Sequence, residues 1–157
     1  MNLVEVFEKQ VIETNQQKMN DALYNLKHNN SVQRNFRELA DNNIMLERIT
    51  LIIKESSLMD EDRKHWLTKR DELNKRRERA HLELLQMGFE ESWIKTLVES
   101  EMKTLKSITD KARNAAYNNY FGTTSIDEID IFDERWVQVE EYMKNVKANF
   151  IEGIDPA

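Results

Sequence analysis

Four basic side chains in the segment 60–87 have a spacing that could bind an anion. Placed on a helix at about 100° and 1.5 Å per residue, they lie side by side over roughly 27 Å. We call this set the basic line: Arg63, Arg70, Arg77 and His81. It predicts contact with a nucleic-acid backbone, a nucleotide or an acidic partner. The alternative, which we favour, is that these side chains pair with acids of the same chain, because Arg beside a helix seam is suited to such pairs.

A second chemical pattern lies near the C-terminus, where apolar and acidic residues alternate over 126–134. We call its carboxylates the acidic segment: Asp127, Glu128, Asp130, Asp133 and Glu134. From Gly122 onward nine acids face three bases, which accounts for the whole net charge of −6. The pattern predicts a segment that docks an apolar edge on a partner and presents carboxylates to a basic surface. The alternative is a capped connection that folds back on the basic line.

Arg76 and His81 form an R-x4-H spacing. It resembles the signature of the higher-eukaryote-and-prokaryote nucleotide-binding (HEPN) family, small helical bundles that include many metal-independent ribonucleases. The resemblance implies RNA cleavage by these two residues. A step of five residues, however, places the two side chains about 140° apart on a regular helix, whereas Arg77 and His81 share a face.

Two pairs of carboxylates also have a spacing of three residues: Glu5 with Glu8, and Glu38 with Asp41. They resemble the ExxE and ExxD motifs with which all-helical nucleotide pyrophosphohydrolases hold magnesium. Carboxylates three residues apart share a helix face, and oxygen ligands suit Mg²⁺. This resemblance implies a magnesium-dependent nucleotide hydrolase as a further enzyme alternative.

Other catalytic patterns are missing from the sequence. There is no cysteine, no histidine pair with metal-ligand spacing, no glycine-rich phosphate loop and no serine in a nucleophile elbow. The sequence therefore favours a non-enzymatic protein with no catalytic residues, no metal and no cofactor.

The elements that position these side chains are predicted to be helices. The chain of 157 residues has three Gly and one Pro, whereas a sheet protein needs frequent turn residues. Apolar residues recur at steps of three and four. The prediction is an all-α antiparallel bundle of four to five helices in a single domain, 1–157, with a frayed tail at 151–157. The helix ranges are 3–27, 32–54, 60–87, 90–120 and 134–150.

Local patterns refine these helices. Asn30 and Gln33 suggest a capping box, Ser57 or Asp60 is predicted to cap the third helix, and Gly88 ends it. One seam of that helix should face the core: Trp66, Leu73, Ala80, Leu84 and Met87. The segment 44–53 is apolar on nearly every side, which predicts burial at the centre of the core.

The N-terminal residues carry acids where a secretory signal would carry lysines, and no run approaches the ~20 apolar residues of a membrane span. We therefore expect a cytoplasmic protein with no membrane partner.

The run 71–85, DELNKRRERAHLELL, resembles a helix of small uncharacterised helical proteins from phages and Gram-positive bacteria. The resemblance implies a phage or mobile-element accessory protein that acts by binding. We expect a modulator of a host factor, such as an inhibitor of a defence nuclease. A host or phage protein is the expected partner, with nucleic acid as a second through the basic line. A structural homo-oligomer is the remaining alternative.

Overall fold

The structure, a computed structural model, describes residues 2–11, 16–55 and 59–154. These ranges contain six α-helices, one 3-10 turn and no strand, so the prediction of an all-α helical bundle is confirmed. The helices are α1 (Leu3–Gln10), α2 (Gln16–His28), α3 (Asn30–Ile53), α4 (Asp60–Gln86), α5 (Glu91–Phe121) and α6 (Arg135–Glu152), with the 3-10 turn at Ile126–Glu128. No described helix is long and apolar enough to cross a membrane.

The prediction of one first helix over 3–27 was wrong, because α1 ends at Gln10 and α2 begins at Gln16. Val11 follows α1 in an extended conformation (φ −93°, ψ 121°) and is buried with the core residues of α1. The next residues of the sequence, Ile-Glu-Thr-Asn, include β-branched and Asx types that form helices poorly. They lie outside the described residues.

The ends of α3 and α4 differ in how they are capped. Asn29, not Asn30, caps α3, because its side chain accepts a hydrogen bond from the backbone N–H of Ser31. Met59 precedes α4 without a side-chain cap, so the expected cap by Asp60 is wrong, while Ser57 lies outside the described residues. At the other end, Gly88 has φ +94° and the Phe89 N–H donates to the Leu84 carbonyl, as predicted for a glycine that ends a helix.

The chain divides into two compact units, Met1–Met102 and Lys103–Ala157. In the first unit, the main core joins α1, α2, α3, α4 and the first turns of α5. Phe7 packs edge-to-face on Phe89 and Trp93, and Phe36 packs on Phe89. These ring contacts add to the burial of four large side chains, each at most 2% exposed.

The predicted seam of α4 faces this core. Leu73, Ala80 and Leu84 are buried, and Trp66 and Met87 are partly buried against the same apolar clusters. Leu73 joins a second small cluster with Leu46 and Ile49 of α3. The apolar segment 44–53 of α3 is less buried than predicted. Ile44, Leu46 and Ile49 are buried, but Leu51 is 69% exposed. Its apolar surface is therefore only partly covered.

In the second unit, the last turns of α5 pack on α6 around Trp136. Its ring contacts those of Tyr117 and Phe121, and Gly122 (φ +70°) ends α5 beside them. α6 continues to Glu152 and ends at Gly153 (φ +77°), so residues 151 and 152 are helical rather than part of a frayed tail. Residues 155–157 of the predicted tail lie outside the described residues.

Two leucines of α4 allow a matched test of this packing. Leu84 is fully buried, whereas Leu82 is 57% exposed. Leu84→Ala should lower the free energy of unfolding by about 2–5 kcal/mol, because a cavity replaces the side chain. Leu82→Ala should change it by about 0.5 kcal/mol or less. Urea unfolding followed by circular dichroism measures both, and equal losses would contradict this orientation of α4.

Candidate binding surfaces

Arg63 of the basic line stabilises the C-terminal end of α3. Its guanidinium donates hydrogen bonds to the carbonyl oxygens of Ile53 (2.6 Å) and Glu55 (3.2 Å). Carbonyls at a helix end lack partners within the helix and carry partial negative charge, which a cation neutralises. Arg63 therefore has a structural partner, and that partner is the backbone rather than the acidic side chain that we expected.

Arg70 and Arg77 behave differently from Arg63. Neither forms an ion pair with an acid among the described residues, and the favoured prediction of pairing within the chain stays a prediction for both. Arg70 is half-buried, while Arg77 is exposed. Arg77 lies on the edge of a groove of about 1130 Å³ between α3, α4 and the first turns of α5, all within Met1–Met102.

His81 also lines this groove, and it does have an acidic neighbour. Its Nε2 lies 3.6 Å from Glu91 Oε1 of α5, so a protonated His81 would form an ion pair with that carboxylate.

Arg76, the other half of the R-x4-H spacing, is exposed and does not line the groove. The four residues of the basic line therefore have three different environments.

The paired carboxylates contact other side chains or are buried, and Glu5 accepts a hydrogen bond from Asn2 (3.2 Å). Glu8 forms an ion pair with Lys27 (3.4 Å), Glu38 pairs with Arg34 (3.1 Å), and Asp41 is 8% exposed. Among the described residues, no three acidic or histidine side chains come together as a metal site would require. The geometry thus adds nothing to the magnesium-hydrolase alternative.

One buried carboxyl was not anticipated from the sequence. Glu101 of α5 is 5% exposed, and its burial raises the pKa, while the positive charge of Arg37 on α3 opposes that rise. Glutamate is common in this chain, and no pattern in the sequence separates Glu101 from exposed neighbours such as Glu99.

The acidic segment forms a compact loop between α5 and α6. After the 3-10 turn, the Phe132 N–H donates to Asp130 Oδ1 (2.9 Å) and the Asp133 N–H donates to the Asp130 carbonyl (3.0 Å). The Trp136 indole N–H donates to that same carbonyl (3.0 Å). An Asx turn, a backbone turn and a side chain from α6 therefore fix the loop at Asp130.

A second contact attaches the loop to both helices. Arg135 donates from Nε and Nη2 to the two oxygens of Asp133 (3.0 and 2.8 Å), and from Nη1 to the Tyr120 carbonyl (3.2 Å). The guanidinium also lies 4.8 Å from the ring centre of Phe121. The hydrogen bonds from Arg135 hold the pKa of Asp133 at about 2, so this carboxylate stays ionised. The Asp133 carboxylate therefore stabilises the loop through its hydrogen bonds with Arg135.

The remaining carboxylates of the acidic segment point to solvent around an apolar tip. Asp127, Glu128, Asp130 and Glu134 are exposed, while Ile131 and Phe132 are 79% and 86% exposed. The alternation of apolar and acidic residues marked this segment. The alternation did not show which of the apolar residues are exposed: Ile126 and Ile129 are half-buried, whereas Ile131 and Phe132 are exposed.

No protein-family model, curated protein or solved structure matches this chain.

Arg63 and Arg77 of the basic line predict different effects on stability. Arg63→Ala should lower the free energy of unfolding by about 1–2 kcal/mol, because two charged hydrogen bonds to the end of α3 are lost. Arg77→Ala should change it by about 0.5 kcal/mol or less, since the side chain is exposed. Parallel urea titrations test this, and a larger loss for Arg77→Ala would refute the assignment.

The Asp133–Arg135 contact predicts a measurable titration. Carbon-13 NMR of the Asp133 carboxyl should give a pKa of about 2, which should move toward the usual value of ~3.9 in Arg135→Ala. Because the folded-state pKa is lowered, the contact stabilises the loop above pH ~3.9 and loses that effect as the pH falls to about 2. A normal pKa for Asp133 in the unmodified protein would exclude the contact.

Proposed function

We propose that the protein is a non-enzymatic binding protein and that loop 126–134 is its recognition element. The observation that supports this is the exposure of Ile131 and Phe132 at the tip of a loop held by hydrogen bonds at Asp130 and Asp133. Adjacent large apolar side chains are costly to leave in water, and an exposed apolar patch commonly marks an interaction site. A fixed loop also loses less conformational entropy on binding than a flexible one.

The side chains of the loop define the kind of partner surface that would fit it. Phe132 and Ile131 require an apolar pocket, and the surrounding carboxylates require a rim of lysine or arginine. In this arrangement the buried aromatic contributes most of the affinity, while the charges orient the partner and raise the association rate.

A protein that binds nucleic acid offers such a surface, because its substrate path is lined with cations. We therefore propose a host factor of this kind, such as a defence nuclease, as the partner. The loop would then modulate the factor by occupying part of that path. The resemblance of the run 71–85 to helices of phage and Gram-positive proteins supports an accessory protein of a phage or mobile element.

The partner can be identified by cross-linking from the loop inside cells. A photoreactive benzoylphenylalanine at position 132 should give a discrete adduct with one protein after irradiation. The matched control is the same group at Tyr24, a 65% exposed aromatic position on α2. Adducts that are absent at position 132, or identical at both positions, would reject loop 126–134 as the recognition element.

Truncation of the loop tip then tests its contribution to affinity. Phe132→Ala should weaken binding to the identified partner about 30-fold or more, because hot-spot aromatics contribute ~2 kcal/mol or more. Tyr24→Ala should leave the affinity unchanged, and both variants should keep the unfolding midpoint of the unmodified protein. Isothermal titration calorimetry measures the affinities, and equal binding by the two variants contradicts the proposal.

A further inference from the structure

The groove between α3, α4 and α5 has the dimensions of a site for one further helix. Its α3 wall extends from Leu39 to Leu51, about 18 Å at ~1.5 Å per residue, which corresponds to roughly three helical turns. Ile94 and Val98 of α5 line the groove but are almost fully buried, whereas Leu51 on the α3 wall and Leu82 on α4 are 69% and 57% exposed. Leu51 and Leu82 present the kind of surface that the apolar stripe of an amphipathic helix covers.

The edge of the groove carries an excess of negative charge. Arg77, Lys95 and His81 are the only bases among its lining residues, against four exposed glutamates: Glu47, Glu78, Glu91 and Glu99. A helix with lysine or arginine beside its apolar stripe complements this edge, whereas an acidic helix or a nucleic-acid backbone is repelled.

We infer that this groove binds an amphipathic helix of another protein, about three turns long, with basic residues flanking its apolar stripe. The site lies wholly within Met1–Met102 and shares no residue with loop 126–134. Its apolar walls provide affinity, and its glutamates select the charge of the partner.

A pair of designed peptides tests this inference. Both are labelled 16-residue helices with leucines at positions i, i+3, i+4 and i+7, flanked by lysines in one and by glutamates in the other. In fluorescence anisotropy, the lysine peptide should bind the full-length protein at least about tenfold more tightly. The double charge reversal Glu78→Lys with Glu99→Lys should reverse this preference, because both residues are exposed on the groove edge.

Two further variants separate the groove from other surfaces. Leu82→Asp should abolish binding of both peptides while circular dichroism shows an unchanged fold, and Phe132→Ala should bind as the unmodified protein does. Equal affinity for the two peptides, no binding of either, or binding retained in Leu82→Asp would each overturn the inference. Self-association detected by light scattering and lost in Leu82→Asp would also overturn it, since a second copy of this chain would then occupy the groove.

Discussion

The first unit depends on the burial of one narrow seam of α4 against α3. α4 is strongly polar, and only Leu73, Ala80 and Leu84 of its 27 residues are buried. The orientation of α4 therefore depends on a few apolar contacts, while Arg63 and Gly88 determine how the chain enters and leaves this helix. Because the chain turns at Gly88, α5 starts beside the same core, and the groove lies between the three helices.

The sequence predicted most helices because their signals are local. Gly88 and Gly122 mark helix ends through positive φ angles, and the apolar steps of α4 identify its buried face. The first helix was predicted incorrectly because the apolar periodicity continues through Val11, which is buried although its backbone is extended. The segment 44–53 of α3 was predicted to lie in the core because it is apolar on nearly every side. The sequence does not show how many side chains of other helices are close enough to cover it.

The candidate surfaces were predicted less completely for a related reason. The basic line was visible as a helical spacing, but backbone carbonyls at the end of α3 compete for Arg63, and no sequence pattern reveals that competition. In the acidic segment, composition showed the carboxylates, whereas the roles of Asp130 and Asp133 arise from contacts with Trp136 and Arg135 across the loop. Which groups of the chain a charged side chain contacts is therefore determined by the tertiary structure.

The exposed tip at Ile131 and Phe132 also has a colloidal consequence. At neutral pH the net charge of −6 and the carboxylates beside the tip keep copies of the protein apart by repulsion. Near the isoelectric point of about 5.2 the overall repulsion disappears, while the apolar tip remains. Mild acid therefore favours precipitation of the folded protein, and purification above neutral pH at low ionic strength avoids this loss.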